Sequence, residues 1–177
     1  YQTSTVYSAN VNVLPFVELY LALIRPDKFK GGTGDRTGGV RVQIVKESRY
    51  FPAFALGSQD FFASRQLWVE PAGSQVFASL FGVVSKSFVF ARGKKIFAHM
   101  GYGTDRIPAL TYQLVGFFGG LEVETVPNVF VLLEHDAENF NAGVRGQLFS
   151  MFQLSACWWR CKELSLGLDF TFNLRLL

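Results

Sequence analysis

The stretch Leu164-Ser165-Leu166-Gly167-Leu168-Asp169-Phe170-Thr171-Phe172-Asn173-Leu174 alternates without a break. Leu164, Leu166, Leu168, Phe170, Phe172 and Leu174 take every second position, and Ser165, Gly167, Asp169, Thr171 and Asn173 fill the gaps. Successive side chains of a strand point to opposite faces, so this run predicts a strand with one apolar and one polar side. Two architectures share that pattern. In a soluble sandwich the apolar side turns to a core, and in a membrane barrel it turns to lipid. The choice rests on the rest of the chain.

Other segments repeat the alternation. Val17, Leu19, Leu21 and Leu23 interleave with Glu18, Tyr20 and Ala22; Val40, Val42 and Ile44 with Arg41 and Gln43. Ala142, Val144 and Leu148 interleave with Asn141, Gly143, Arg145 and Gln147; Phe152, Leu154, Ala156 and Trp158 with Gln153, Ser155 and Cys157. Further strands are expected near 3–13, 51–61, 75–87, 95–103, 111–125 and 128–136, leaving little sequence for helix. The connections differ in length by turns. Those at 14–16, 47–50, 126–128 and 149–150 are short; those at 25–39, 58–74, 103–110 and 135–140 are longer. Tight periplasmic turns alternating with longer outside loops are the asymmetry of outer-membrane barrels. The connection 87–94 is long for such a turn.

Composition agrees. Of 177 residues 49% are hydrophobic, 19 are Phe, and only 18% are charged, against roughly 25% in an ordinary soluble domain. No run approaches the ~20 apolar residues of a membrane helix. The expectation is all-β: one domain over residues 1–177, an antiparallel up-and-down transmembrane β-barrel of about twelve strands, within a range of roughly 10 to 12. Counting back from a periplasmic Leu174 puts Tyr1 on the outside. A further strand therefore precedes Tyr1 in a longer natural chain, or the count merges two. Tyr1-Gln2-Thr3 has no signal-peptide pattern. A net charge of +3 is too weak to argue for nucleic acid. The aromatic residues Trp68, Tyr102, Tyr112, Trp158 and Trp159 lie near expected strand ends, where interfacial girdles place them; packing within a soluble β-protein is the competing reading.

Inward positions of such a barrel carry Glu18, Arg41, Gln43, Glu122, Glu134, Asn141, Arg145, Gln153 and Asp169. A lumen of this size is nearly filled by side chains, and charges there need partners. A structural ion-pair network and a narrow polar conduit are both compatible with that set. The long connection after Ile24 holds Arg25, Lys28, Lys30 and Arg36, candidate contacts for lipopolysaccharide phosphates. Its Gly31-Gly32-Thr33-Gly34 lacks the Lys and following helix of a phosphate loop. The two histidines, His99 and His135, have no Ser or Asp at a spacing that marks a catalytic partner, and Glu134, His135 and Asp136 read as a solvated turn at a strand end. No catalytic residue, metal site or cofactor is expected. Cys157 and Cys161 could pair across a hairpin end or remain two thiols.

Several runs resemble YjbH-like outer-membrane proteins, which are associated with exopolysaccharide and capsule gene clusters. Tyr50-Phe51-Pro52-Ala53-Phe54-Ala55-Leu56-Gly57-Ser58-Gln59-Asp60-Phe61 resembles that family's YPAVALGLQDF segment. Val83-Val84-Ser85-Lys86 is similar to its VASK strand, and Phe117-Phe118-Gly119-Gly120-Leu121-Glu122 to its FGGIE strand. Leu133-Glu134-His135-Asp136 with Asn141-Ala142-Gly143-Val144-Arg145 resembles its EYDG…NAGLR hairpin. Phe62-Ala63-Ser64 stands where the family has a Gly-Thr pair, and His135 where it has Tyr. The end of the chain resembles the signal read by barrel-insertion machinery through Gly167, Phe170 and Phe172, although Asn173 to Leu177 follow in place of a terminal Phe.

The resemblance implies a non-enzymatic barrel in the outer membrane of a Gram-negative bacterium, a component of surface exopolysaccharide export or envelope assembly. Its expected partners are outer-membrane lipid and lipopolysaccharide, the insertion machinery and other subunits of an envelope complex, with no nucleic acid. The alternatives are a scaffold subunit anchoring a larger complex, a narrow porin-like channel, and a soluble β-sandwich or carbohydrate-binding module.

Overall fold

The computed structural model describes residues 4–26, 35–60, 78–90, 93–107, 114–148 and 151–170. They form eleven strands and no α-helix: β1 (Ser4–Leu14), β2 (Val17–Pro26), β3 (Asp35–Val45), β4 (Ala53–Gln59), β5 (Ser79–Val89), β6 (Lys95–Thr104), β7 (Gly116–Val126), β8 (Val129–His135), β9 (Phe140–Leu148), β10 (Phe152–Trp159) and β11 (Glu163–Phe170). All belong to one antiparallel sheet in which neighbours in sequence are neighbours in the ladder. The sequence predicts a closed barrel of about twelve strands. Among the described residues there are eleven, and β1 and β11, the two ends of the ladder, are not paired with each other.

Two compact units emerge, Tyr1–Val84 with Gly101–Phe117, and Ser85–Met100 with Phe118–Leu177. In the first, β1, β2, β3 and β4 are joined through pairs such as Asn12↔Glu18, Glu18↔Arg41 and Arg41↔Gly57. Directly opposed residues share a face, so Ser8, Asn10, Asn12, Glu18, Tyr20, Ala22, Arg41 and Gly57 lie on one side. Tyr7, Val11, Val13, Leu19, Leu21, Val42 and Leu56 lie on the other. The second unit repeats this through Leu132↔Gly143, Gly143↔Cys157 and Cys157↔Ser165. There Glu122, Glu134, Asn141, Arg145, Gln153 and Asp169 share the polar side, and Leu121, Leu133, Val144, Leu154, Leu166 and Leu168 the apolar one.

The apolar side is not a core. Among the described residues the buried hydrophobic side chains are Ala22, Ala78, Phe118 and Phe130. Leu166 is 76% exposed, Leu168 68%, Leu133 57% and Leu21 52%. Tyr102 and Trp158 are also open, at 52% and 46%, whereas Trp68 and Tyr112 lie outside the described residues.

Local chemistry sets the turns and the close approaches. In the β7–β8 hairpin Pro127 fixes one φ, and Asn128 takes a left-handed φ of 64°, an arrangement that Asn accepts more readily than most residues. Strand β3 begins at Asp35, earlier than the Val40 start suggested by alternation. Thr37-Gly38-Gly39 carries no period-two signal, yet it pairs with Ala22, Leu21 and Tyr20. Gly39 permits this because a side chain there would meet the Ser58 carbonyl at 2.7 Å. Gly57 is needed for a different reason: its missing side chain leaves room for the Phe81 ring, whose Cε2 would stand 2.8 Å from an added Cβ.

Gly57→Ala is therefore expected to cost about 1–3 kcal/mol through overpacking against Phe81. Gly146→Ala, where an added Cβ meets nothing within 4 Å, is expected to stay within about 0.5 kcal/mol of the parent. Urea unfolding of the refolded protein measures both.

Candidate functional site

Among the described residues the polar side of the sheet carries paired hydrogen-bonding side chains, and each unit contains its own cluster. In the first unit Glu18 on β2 and Arg41 on β3 stand directly opposite each other and form an ion pair. The Arg41 side chain is 56% exposed and that of Glu18 is 22% exposed. Asn10, Tyr20, Gln59 and Phe81 line the same open groove, whose volume is about 340 Å³. At its end Asp60, fully buried with a left-handed φ of 54°, accepts a 2.8 Å hydrogen bond from the Thr37 hydroxyl. Gln43 also lies on this face, opposite Ala55.

In the second unit Arg145 on β9 reaches across β8. Its guanidinium carbon sits 5.1 Å from the centre of the Phe130 ring, and it pairs with Glu122 on β7. Both side chains are largely covered. Phe97 packs at 6.3 Å on the same Phe130 ring, so aromatic volume and a neutralised charge pair occupy one patch. Gln153 donates to Asp169 at 3.2 Å. Glu134 stands opposite Asn141, and the His99 ring lies against Gly120, where a side chain would collide with it.

Asn141 is the hub of the loop end. Its side-chain amide donates to Asp136 at 3.2 Å, and its side-chain carbonyl accepts from the Arg160 amide at 2.8 Å. It thereby ties the β8–β9 turn to the β10–β11 turn. Asp136 also accepts from the amides of Glu138 and Asn139. The solvated turn expected for Glu134-His135-Asp136 is corrected here. Glu134 and His135 complete β8, the His135 ring packs 4.7 Å from Phe140, and Asp136 is buried. A short turn leaves its backbone donors nowhere else to go, and the Asp136 carboxylate takes them. Partial burial pushes the Asp136 carboxyl up, but the two backbone amides, Asn141 and the nearby charge of His135 hold it below the ordinary carboxylate range.

Of the residues singled out in sequence, Glu18 with Arg41, Glu122 with Arg145, and Gln153 with Asp169 are brought together. Gly167 lies on the polar side of β11 against Ser155, and Phe170 on the other side, 4.6 Å from the Phe152 ring. Phe172, Lys28 and Lys30 lie outside the described residues, as do the side chains of Arg25 and Arg36. Cys157 and Cys161 are free thiols, and the Cys161 thiol points to the Phe140 carbonyl at 3.4 Å. Among the described residues no group of three or more His, Cys, Asp or Glu could hold a metal ion. Tyr20, Asp60, Phe81, Phe130 and Asp136 were not singled out from the sequence as site residues. Asp60 and Asp136 do fall inside the Gln-Asp and Glu-His-Asp motifs of the resemblance, the one signal that marked them.

No family model matches the chain, no curated protein is found similar to it, and no solved structure matches it.

Two outcomes follow from this geometry. A double-mutant cycle on Glu122 and Arg145 is expected to give a coupling of about 1–3 kcal/mol, because both groups are covered. The Glu18–Arg41 cycle, with a solvated Arg41, is expected to give about 0.2–1 kcal/mol. The lowered Asp136 pKa means that its stabilisation is complete above the unfolded carboxylate pKa of about 3.9 and is lost as pH falls through the lower native value. Asp136→Asn should thus lower the urea midpoint at pH 7, with the gap to the parent closing as pH drops below about 4.

Proposed function

We propose that the chain forms an outer-membrane β-barrel of a Gram-negative bacterium, acting without catalysis as a component of surface exopolysaccharide export or envelope assembly. The observation that carries this reading is the uncovered apolar side of the sheet, with Leu166 and Leu168 more than two-thirds exposed. A Leu or Phe left in water forgoes about 1.5–3 kcal/mol of burial, and soluble monomers rarely present a contiguous apolar face of this extent. Lipid restores that energy on every strand at once. Connection lengths fit the same orientation in the first part of the chain, where residues 15–16 make a minimal turn and 27–34, 60–78 and 105–115 are longer; 149–151 and 160–162 are equally short. An unpaired ladder edge is not tolerated in hydrocarbon, so in the membrane β1 and β11 close on each other or through one further strand, giving eleven or twelve strands. The exopolysaccharide assignment is supported by the motif resemblance at residues 50–61, 83–86, 117–122 and 133–145.

A scaffold role is the second reading. It is favoured by Phe118 and Phe130, both buried on the polar side, and by the Arg145–Glu122 pair lying over Phe130. Such filling suits a plugged barrel that anchors neighbours better than a narrow porin-like conduit. Lipopolysaccharide contact is proposed for the cations Arg25, Lys28, Lys30 and Arg36 in and beside the long connection after β2.

Heat-modifiable migration of the refolded protein, together with the surface polysaccharide of a deletion strain, tests the proposal. A compact form that shifts on boiling, and reduced polysaccharide restored by the intact gene, are expected, with lipopolysaccharide co-purifying less with a variant lacking the four cations. A protein that is monomeric and folded without detergent would overturn the barrel, and unchanged polysaccharide would overturn the pathway.

A further inference from the structure

We infer that the groove lined by Asn10, Glu18, Tyr20, Arg41, Gln59 and Phe81 is a binding site for a neutral polyhydroxylated ligand, one pyranose unit of a saccharide. The groove lies within the first unit and measures about 340 Å³, inside the range of small-molecule sites. The ligand class follows from its charge and its hydrogen-bonding groups. Arg41 is already neutralised by Glu18, so neither a fixed anion nor a fixed cation gains net attraction there. An ion pair instead sets a donor beside an acceptor. Adjacent sugar hydroxyls, each both donor and acceptor, match that arrangement. Asn10 and Gln59 add side-chain amides, which offer the same two functions on one group.

The aromatic rings supply the second half of the recognition. Tyr20 shares the face of Glu18, two residues along β2, and the Phe81 ring is seated over Gly57 beside Arg41. A pyranose has apolar C–H faces that lie against such rings while its rim hydroxyls meet polar groups.

This inference deepens the polysaccharide reading by naming a ligand class, but it rests only on the groove and holds whether or not the sheet closes in a membrane. Isothermal titration of the full chain in detergent, with maltotriose, cellotriose, N,N′,N″-triacetylchitotriose and sodium sulfate as probes, tests it. At least one neutral trisaccharide is expected to bind with millimolar or better affinity. Glu18→Gln and Asn10→Ala should each weaken it at least tenfold, and Asn10→Trp, which fills the open side, should abolish it. Heat-modifiable migration of each variant separates loss of binding from loss of fold. No binding by any trisaccharide at 20 mM, tighter binding of sulfate, or binding that survives Asn10→Trp would overturn the site. Saccharide binding by a chain whose deletion leaves surface polysaccharide unchanged would keep the site and overturn the pathway.

Discussion

The register of the ladder decides where every side chain of this protein goes. Strand side chains alternate with a period of two, so a slip of one residue would exchange the two faces of a strand completely. In β11 such a slip would carry Leu164, Leu166 and Leu168 to the polar side and Ser165 and Asp169 to the apolar side. Pairs such as Cys157↔Ser165 and Leu154↔Leu168 are thus under strong selection by whatever solvates each face. Glycines hold the register where strands must approach closely. Gly39 leaves space for the Ser58 carbonyl, and Gly57 for the Phe81 ring. The β7–β8 hairpin fixes it again through Pro127 and the left-handed Asn128.

Once the faces are assigned, their energetics diverge. The apolar side gains nothing in water and a great deal in hydrocarbon, where each Leu or Phe recovers about 1.5–3 kcal/mol. The polar side has the opposite problem, since isolated charges become costly as water is removed. Its residues answer by pairing: Glu18 with Arg41, Glu122 with Arg145, and, at the loop end, Asp136 with the Glu138 and Asn139 amides and Asn141. Aromatic rings fill the volume between them. The Phe130 ring supports the Arg145 guanidinium, and the Phe81 ring lies over Gly57. Filling is incomplete beside Glu18 and Arg41, where the groove lies.

Much of this was legible in the chain. All eleven strands among the described residues coincide with segments expected from alternation or composition, because period two survives in any strand exposed to two different environments. The shared inward face of Glu18 and Arg41 followed from the same parity, whereas which residues pair on it came from the ladder register. Three kinds of feature were not legible. Asp35 to Gly39 belongs to β3 through partners on β2, and a Thr-Gly-Gly run has no pattern of its own to announce it. Asp136 is buried because a short turn needs an acceptor for its amides, a requirement of backbone geometry that a charged Glu-His-Asp triplet conceals. Phe81 and Phe130 sit on the polar side, against their hydropathy, because volume and ring faces are needed there. The twelfth strand rested on parity of the chain ends, which no ladder pair among the described residues tests.

The claim on which the whole account depends is that Leu164, Leu166, Leu168 and Phe170 face hydrocarbon while Ser165, Gly167 and Asp169 do not. The most direct measurement is a nitroxide scan of residues 164–170 in a Cys157→Ser, Cys161→Ser background, reconstituted in lipid bilayers, with collision rates for oxygen and for a water-soluble nickel chelate. The account predicts strict alternation, with oxygen favoured at the even positions and nickel relatively favoured at the odd ones. Equal nickel access at even and odd positions, or even positions shielded from both reagents as in a soluble core, would contradict it.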